Sequence, residues 1–318
     1  MKTRSLAVVI LNYNHPEDVI DCVASIDREA PPETDSGVSV IIVDNASTND
    51  SVEKLHAAIP HHTHISCNRN GGFSAGTNVG MRQALEDDAE WVLLLNPDTT
   101  VEPGFFENFF RFVEASPMAR AVGATGYYDS EPDKIWFAGG YFDWLRARGE
   151  CFMQGEPRAT LPEPGQPRKC GFLTCACLFV HRAAIERIGL LDERYFLGGE
   201  EWDYSRRLTR AGFDLWVLGN SGYRHKVTAT HVKYSPKYIY NGYRTKLMFM
   251  QSERPLLYIF WAHAFRFFTR FISTPKFVRL DPGLRGKESQ ITDAIRRAFE
   301  DHRRYRSLEL AHLEQFPF

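Results

Sequence analysis

The sequence Trp91-Val-Leu-Leu-Leu-Asn-Pro-Asp98-Thr-Thr100 gives the clearest indication of the architecture of this chain. Its first five residues are all apolar, which predicts a strand buried on both faces of a sheet. The strand should stop at Asn96-Pro97, because proline cannot donate to the ladder of a central strand. Ligands of α/β sheets bind beyond the carboxyl ends of the strands, so Asp98 could hold a divalent ion against a phosphate there. A plain Asn-Pro-Asp turn is the alternative interpretation.

The residues before this stretch alternate between strand-like and helix-like patterns. Residues 6–11 and 38–43 predict two buried strands, and a helical pattern behind Pro16 separates them. A βαβ unit of this kind requires a right-handed crossover and a parallel sheet. The following patterns predict a helix over 51–59, a strand over 64–67 and, after a glycine-rich turn at 70–76, a helix around 77–85.

The rest of the chain is less regular. Its patterns predict a helix over 103–114, short aromatic strands after about residue 120, a buried strand over 172–180, and a helix over 200–211 that Gly212 ends. From about residue 235 the chain is helical and rich in aromatic residues and arginine. We therefore expect an α/β domain with a helical C-terminal extension.

The composition favours a cytoplasmic protein. Of 318 residues, 43% are hydrophobic and 25% are charged, and the net charge of −2 argues against nucleic acid as a partner. The run 6–11 lacks a following cleavage site, so it predicts a strand and not a signal peptide. Zinc spacing and CxxC pairs are absent, and we expect free thiols in a reducing compartment at Cys22, Cys67, Cys151, Cys170, Cys175 and Cys177.

The segment 255–272 is apolar nearly all round but contains Arg266 and Arg270. It is too short and too charged for a comfortable membrane span. An interfacial or partner-facing helix is the favoured interpretation, which would place the protein peripherally at the inner face of the cell membrane. A buried packing helix is the alternative.

Three further segments carry groups suited to binding or catalysis. Asp44, at the end of a strand, could accept hydrogen bonds from a base or a ribose, although Ser47, Thr48 and Asp50 beside it are also competent helix caps. The glycine-rich segment 70–76 lets a backbone approach an anion, but it is neither a dinucleotide fingerprint nor a P-loop.

The third segment is a cluster of carboxylates that opens the helix at 200–211. Negative charge at a helix start is stabilising, which is the plain interpretation. Crowding of Glu200, Glu201 and Asp203 also raises carboxylate pKa values, which suits a general base. Asp203 lies at pairing distance from Arg206 or Arg207, so an ion pair is the favoured role for it.

In this order the motifs resemble the family 2 inverting glycosyltransferases of the GT-A fold, especially the bacterial rhamnosyltransferase-like branch. The five matching motifs together cover roughly residues 5–230, and they are Val9–Asn14, Val43–Thr48, Gly72–Asn78, Leu94–Thr99, and Leu191–Glu193 taken together with Phe196–Asp203. Any one motif is weak evidence, whereas five in order are strong.

The resemblance implies a GT-A, Rossmann-like fold with a mixed, mostly parallel sheet flanked by helices. It implies a glycosyltransferase domain over 1–232, with a nucleotide-binding half at about 1–100 and an acceptor-binding half at about 101–232. The aromatic and arginine-rich helical region would then span 233–318.

The resemblance also implies roles for individual residues. Glu201 would be the catalytic base, with Glu200 and Asp203 in support, and Asp98 and His225 would hold Mg²⁺ or Mn²⁺, with His231 as a competing candidate for the histidine. The nucleotide sugar would contact Asn12, Tyr13, Asp44, Asn70, Gly72, Phe73, Asn78 and Asn96. Three positions depart from the family pattern, where Asp is usual at Glu201, Gly is frequent at Cys175, and Asp opens the motif at Asn96.

The implied reaction transfers a sugar from a nucleotide-diphosphate sugar, with dTDP-rhamnose or a UDP-sugar as candidate donors. The acceptor would be a hydroxyl of a glycan or a lipid-linked acceptor in cell-surface polysaccharide synthesis. Two alternatives stay open, a sugar nucleotidyltransferase and a catalytically silent scaffold that binds nucleotide sugars. A sugar nucleotidyltransferase would require a basic glycine-rich loop after the first strand, where this chain has Asn12-Tyr-Asn-His-Pro16. The oligomeric state is left open.

Overall fold

The computed structural model describes residues 5–30, 37–161, 166–227, 235–268, 278–279 and 284–304. The chain divides into two compact units. The first contains residues 1–144, 149–193 and 200–227, and the second contains residues 145–148, 194–199 and 228–318. The predicted boundary between residues 232 and 233 stays a prediction.

The first unit is an α/β structure built on one large sheet. Its strands are β1 (Leu6–Asn12), β2 (Val38–Asp44), β3 (Thr63–Ser66), β4 (Trp91–Leu95), β5 (Thr99–Val101), β6 (Ala121–Tyr128), β7 (Ile135–Phe137), β8 (Gly140–Asp143), β9 (Arg148–Cys151), β10 (Arg168–Lys169), β11 (Cys177–His181) and β12 (Leu215–His225). Its helices are α1 (Pro16–Glu29), α2 (Ser51–Ala58), α3 (Gly72–Glu86), α4 (Phe105–Ala115), α5 (Arg182–Ile188) and α6 (Glu200–Arg210), with a short 3₁₀ turn at Arg158–Thr160.

The ten-stranded sheet has the order β10-β12-β6-β11-β4-β1-β2-β3, with β5 paired to β12 and β7 to β6. Strands β1, β2, β3 and β4 are parallel, and β11 is antiparallel to both β4 and β6. Because β12 is parallel to β6, six strands run in the same direction and end at one edge. The prediction of a mixed, mostly parallel sheet is confirmed.

Hydrophobic cores lie on both faces of this sheet because its side chains alternate with a period of two. Val8 and Ile10 of β1 pack with apolar side chains of α1 and α4, whereas Ala7 and Val9 pack with those of α3, α5 and α6. Full burial of one Val or Ile side chain contributes roughly 1.5–3 kcal/mol, so these two layers stabilise the packing of the helices on the sheet.

Helix α3 begins at Gly72, several residues before the predicted start. The predicted glycine-rich turn is therefore the first part of a helix, and its glycines serve packing. A Cβ on Gly76 would lie 2.5 Å from Leu11 Cδ1, and one on Gly80 would lie 2.4 Å from Val9 Cγ1. Only glycine lets the helix approach the sheet this closely.

The predicted strand over 172–180 is also wrong in its first half, because β11 begins only at Cys177. Phe172 forms an isolated bridge with Gly140, and the Leu173 amide donates to Ser205 Oγ at 3.0 Å. The amide of Asn96 donates to the carbonyl of Ala176 at 3.0 Å. These bonds engage residues 173–176 outside the sheet ladder.

The described helices of the second unit are α7 (Pro236–Glu253), α8 (Pro255–Phe268) and α9 (Glu288–Arg304). Tyr240 on α7 donates to Asp301 on α9 at 2.9 Å, and Tyr258 on α8 lies 2.5 Å from His302 Nε2. A helical C-terminal region is thus confirmed. Among the described residues, no helix is both long and apolar enough to span a bilayer. Residues 269–272 of the predicted interfacial segment lie outside the described residues, as does His231.

Candidate active site

Several predicted site residues lie at the edge where the parallel strands end. Asn12 ends β1, Asp44 ends β2, Asn96 and Asp98 follow β4, and His225 ends β12. Since these strands share one direction, the sheet itself brings their polar ends to a common edge.

The carboxylate of Asp44 is held by a buried hydrogen-bond network. Its Oδ2 accepts from Asn12 Nδ2 at 2.7 Å and from Ser47 Oγ at 2.6 Å, and its Oδ1 accepts from the Ser47 amide at 2.8 Å. A carboxylate has about four acceptor sites, so one remains for a ligand hydroxyl or base N–H. Asn12 therefore orients Asp44.

The loop after β1 is tied to the loop after β2. Asn14, at φ 63°, donates its amide to Ser47 Oγ at 2.9 Å and accepts from the Thr48 amide at 2.8 Å. Asn14 thus takes the left-handed conformation that asparagine tolerates better than most residues. Between the tied residues, the Tyr13 side chain stays 39% exposed beside the strand edge.

Asn45 organises the glycine-rich segment. Its Nδ2 donates to Asn70 Oδ1 at 2.9 Å and to the Gly72 carbonyl at 3.1 Å, and its Oδ1 accepts from the Gly71 amide at 3.2 Å. Asn70 in turn accepts from the Gly72 amide at 2.9 Å, and the following Phe73 is half-buried. The start of α3 is thereby fixed next to Asp44.

Asn78 is buried and braces α3 against the segment before α6. Its Nδ2 donates to the Leu191 carbonyl at 2.9 Å and to Glu193 Oε1 at 3.0 Å, while its Oδ1 accepts from the Leu191 amide at 3.0 Å. Both N–H groups and the carbonyl oxygen of the Asn78 side chain are hydrogen-bonded, so a bond from Asn78 to a nucleotide sugar would have to replace one of these contacts.

Asp98 and His225 form a closely placed pair. His225 Nε2 lies 3.0 Å from Asp98 Oδ1, and their side chains are 7% and 13% exposed. The Lys226 amide donates to the Asp98 carbonyl at 2.9 Å, and the Trp136 ring meets the imidazole edge-on at 4.2 Å. Strand register explains the pairing, because Thr99 lies opposite His225 in the β5–β12 ladder.

The ammonium of Lys226 anchors this region to α1. It donates to Asp18 Oδ1 and Asp21 Oδ2, each at 2.8 Å. Desolvation lowers the pKa of Lys226, but the hydrogen bonds to the two carboxylates outweigh it, and its pKa is raised. The lysine therefore stays charged and holds the chain beside the Asp98–His225 pair.

A divalent cation fits this pair if substrate oxygens complete its coordination. No three His, Cys, Asp or Glu residues among those described lie close enough together to enclose a metal ion. Mg²⁺ is commonly held by one or two carboxylates together with substrate phosphates and water. Within the described residues, His225 Nδ1 is buried and has no hydrogen-bond partner, so the imidazole keeps one uncommitted nitrogen.

Glu201 lies in the first turn of α6, which is attached to the segment 173–177 through the Ser205–Leu173 bond. Burial raises the pKa of Cys175 well above its usual value, and the charges of Glu200 and Glu201 raise it further. Ala176, the next residue, accepts from the Asn96 amide. One short segment thus connects the start of α6 to the end of β4, which Asp98 follows.

Asp203 forms an ion pair on α6 with Arg207, whose Nε lies 2.8 Å from Asp203 Oδ2. Arg207 also donates to the Ile188 carbonyl at 2.8 Å. The sequence left Arg206 and Arg207 open as partners of Asp203, and the structure shows an ion pair with Arg207. Glu200 is buried at the helix start, and Glu201 is half-buried.

A model of the family described as Glycosyl transferase family 2 matches residues 7–189, more than half of the chain. The chain belongs to glycosyl transferase family 2. The matched range includes the edge residues up to Asp98, the ribbon of β8 and β9, and β11.

Curated relatives of this family 2 chain are glycosyltransferases. An N-acetylglucosaminyl-diphospho-decaprenol L-rhamnosyltransferase of Mycobacterium tuberculosis (strain ATCC 25618 / H37Rv) is 27% identical over 248 residues, covering 72% of this chain and 78% of that protein. The low-salt glycan biosynthesis hexosyltransferase Agl10 of Haloferax volcanii is 22% identical over 260 residues, covering 78% of this chain and 76% of that protein. The galactofuranosyltransferase GlfT1 of M. tuberculosis is 26% identical over 233 residues, covering 70% of each.

Solved structures support the GT-A fold. A crystal structure of GalNAc-T7 with UDP, GalNAc and Mn²⁺ superposes with a TM-score of 0.59 at 15% identity, covering 81% of this chain. This family 2 chain spans about half, 52%, of that structure's chain. The structure of S. aureus TarS 1–349 in complex with UDP superposes with a TM-score of 0.51 at 14% identity, covering 94% of this chain and 91% of the TarS chain.

The sequence patterns missed the supporting contacts of Asn45, Ser47 and Lys226 in this candidate site. Asn45 and Ser47 lie in the quoted strand-end motif, where the local pattern indicated a helix cap at Ser47 and no role for Asn45. Lys226 follows His225 directly, and its partners on α1 lie more than 200 residues away in the sequence. A local pattern contains no signal for such a contact.

Proposed function

We propose that this chain is an inverting glycosyltransferase that moves a sugar from a nucleotide-diphosphate sugar to a hydroxyl of a glycan or lipid-linked acceptor. Membership of family 2 supports the reaction class. The observation that carries the proposal is that residues 173–177 contact both the end of β4, which Asp98 follows, and α6, which contains Glu201. This supports a cation-binding role for Asp98 with His225 and a base role for Glu201 at one strand edge.

The nucleotide is bound by the network around Asp44. The free acceptor capacity of Asp44 suits a base N–H or a ribose hydroxyl, and the exposed ring of Tyr13 lies beside it for stacking. Asn70, Gly72 and Phe73 form the adjoining wall at the start of α3.

Asp98 and His225 would hold Mg²⁺ or Mn²⁺, which would supply positive charge near the leaving nucleotide diphosphate. Asn96 orients the Asp98 loop, since its amide donates to Ala176 and its carbonyl accepts from Thr99 Oγ1 at 2.7 Å. The Lys226 backbone holds the same loop from the other side.

Glu201 acts as the general base. It takes the proton from the acceptor hydroxyl as that oxygen attacks the anomeric carbon on the face opposite the diphosphate. The new glycosidic bond forms as the bond to the diphosphate oxygen breaks, and this single displacement inverts the anomeric configuration.

The relatives narrow the candidate substrates. Since one relative is named a rhamnosyltransferase and two fold neighbours are solved with UDP, dTDP-rhamnose and UDP-sugars are the donors to test first. A lipid-linked acceptor agrees with peripheral association at the inner face of the cell membrane. Leu256, Ile259 and Phe260 on α8 are 84%, 53% and 66% exposed, and Arg254 beside them is exposed, which suits an interfacial helix.

The base assignment is tested by Glu201→Gln. We expect this variant to bind the donor as wild type does, because the amide keeps the shape, and to lose transfer by about 10²–10⁴-fold. Glu150→Gln on β9 is the matched control and should retain activity. Donor binding is measured by calorimetry and transfer by release of nucleotide diphosphate; near-normal turnover of Glu201→Gln would contradict the assignment.

The two alternatives are separated with the wild-type protein. A transferase releases nucleotide diphosphate from a nucleotide sugar, whereas a nucleotidyltransferase forms the nucleotide sugar from a nucleoside triphosphate and a sugar phosphate, releasing pyrophosphate. A silent scaffold binds nucleotide sugars but releases neither nucleotide diphosphate nor pyrophosphate.

A further inference from the structure

Three aromatic rings lie next to one another at the start of α6. Phe142 of β8 meets Trp144 edge-on at 4.8 Å between ring centroids and meets Trp202 at 5.2 Å. All three side chains are half-buried, so the cluster keeps accessible aromatic surface. We call Phe142, Trp144 and Trp202 the aromatic cluster.

A glycine allows the ribbon of β8 and β9 to lie against Trp202. A Cβ built on Gly149 of β9 would lie 2.7 Å from Trp202 Nε1, so any larger residue would displace the indole. The position of Trp202, and of the first turn of α6 to which it belongs, is therefore matched to the ribbon.

The charge of Glu201 acts on Cys151, which lies on the same face of the ribbon as Gly149. Gly149 and Cys151 are two residues apart on β9 and hence face the same side. Burial raises the pKa of the Cys151 thiol to about 11, and the charge of Glu201 is the next largest cause. Two independent observations, a ring contact and an electrostatic one, thus bring the aromatic cluster next to Glu201.

The surroundings of the aromatic cluster suit a sugar ring better than a hydrocarbon chain. Glu201 lies in the first turn of α6 directly before Trp202, and its charge acts on Cys151 of the ribbon. A sugar ring has C–H faces that pack on aromatic rings and hydroxyls that donate to carboxylates. A prenyl chain in this place would offer no hydrogen bond to the Glu201 carboxylate.

We propose that the aromatic cluster is the acceptor subsite, where the sugar ring of the acceptor packs against Trp144 and presents its hydroxyl to Glu201. This inference rests on the proposed function and adds the part of the acceptor that the protein recognises. Binding is to a sugar ring, and the lipid of a lipid-linked acceptor lies elsewhere.

The test is calorimetric binding of a short-chain N-acetylglucosaminyl-diphospho-prenol to the full chain in the presence of UDP. Trp144→Ala should weaken binding by about tenfold, as expected for loss of one aromatic contact, while UDP binding stays unchanged. Trp144→Phe, which keeps a ring, should recover most of the affinity. Tyr141→Ala is the matched control, because Tyr141 faces the other side of β8 and contacts Phe152.

Sugarless prenyl diphosphate is the second probe. Its binding should be the same for wild type and Trp144→Ala; an equal loss with this probe would put the prenyl chain on the cluster and overturn the proposal. Unchanged binding of the sugar-bearing probe by Trp144→Ala, or no binding by wild type, would also overturn it. Failure of the proposed function would be seen in a different measurement: the wild-type protein would release no nucleotide diphosphate from any donor.

Discussion

At the scale of single residues, the proposed chemistry depends on carboxylates that hydrogen bonds and ion pairs hold in place. Asp44 accepts three hydrogen bonds, and Asp98 is paired with His225 in a loop held by Lys226. Such support limits side-chain motion before a ligand arrives, so less conformational entropy is lost on binding.

The role of Asp98 predicts a specific loss. In Asp98→Ala, Mn²⁺ should no longer strengthen binding of a nucleotide sugar, because the charged ligand of the Asp98–His225 pair is gone. We expect wild type to gain about tenfold or more in donor affinity with Mn²⁺ in calorimetry, and the variant to gain little. Asp214→Ala, which removes an exposed carboxylate paired with Lys169, is the control. An Asp98→Ala variant with a wild-type Mn²⁺ effect would remove Asp98 from the site.

Residue patterns in the sequence indicated the proposed carboxylates but not all their supports. Asp98 was indicated because it follows an apolar strand, and Glu201 because it lies in a crowded carboxylate cluster whose motif resembles that of the family. The contacts made by Asn45 and Lys226 join residues that are distant in the sequence, which periodicity cannot reveal.

At the scale of elements, most strands and helices follow from local patterns, and the errors have long-range causes. The early start of α3 depends on glycines that fit against Val9 and Leu11 of β1. The late start of β11 depends on Ser205 of α6, which binds the Leu173 amide. Both causes lie in neighbouring elements.

The packing of α3 makes Gly80 sensitive to a single methyl group. Gly80→Ala removes glycine's helix penalty of about 1 kcal/mol but forces a Cβ against Val9, and such overpacking costs about 1–3 kcal/mol. We expect a lower urea midpoint. Gly242→Ala on α7 is the matched control, since a Cβ there meets nothing within 4 Å and should leave the midpoint unchanged or higher. A Gly80→Ala protein as stable as wild type would show that the α3–sheet contact is looser than described.

The start of α5 predicts a pH effect. His181 Nδ1 accepts from the Ala183 amide at 3.0 Å, which requires an unprotonated Nδ1. Burial and the Arg120 charge lower the pKa of His181, although Glu90 opposes them. The unfolded chain therefore binds this proton more tightly, so the stabilisation is complete above about pH 6.5 and is lost as the pH falls towards the folded pKa.

Urea unfolding between pH 7 and pH 5 measures this effect. Wild type should lose stability on acidification, with the cap accounting for about 1 kcal/mol. His181→Asn keeps an acceptor at the cap without titrating, so its stability should fall less over the same range, even though loss of the ring contact with Trp91 lowers it at every pH. Parallel pH profiles for the two proteins would exclude His181 as the titrating group.

At the scale of the whole molecule, the sheet topology explains how distant segments can contribute to the proposed site. Strands β1, β2, β4 and β12 deliver Asn12, Asp44, Asp98 and His225 to one edge, and antiparallel β11 begins at that edge. The segment leading into β11 holds the middle of α6 through the bond of Leu173 to Ser205. The motif order in the sequence was sufficient to predict this fold, whereas the boundaries of its elements required the tertiary contacts.

The most direct test is a crystal structure of the full chain with UDP or dTDP and Mn²⁺, with the metal located by its anomalous signal. We predict that the base and ribose lie at Asp44, that Mn²⁺ lies between the diphosphate and the Asp98–His225 pair, and that the Glu201 carboxylate faces the space beyond the terminal phosphate. A nucleotide bound away from this edge, or a Glu201 side chain turned to solvent on the far side of the sheet, would contradict the account.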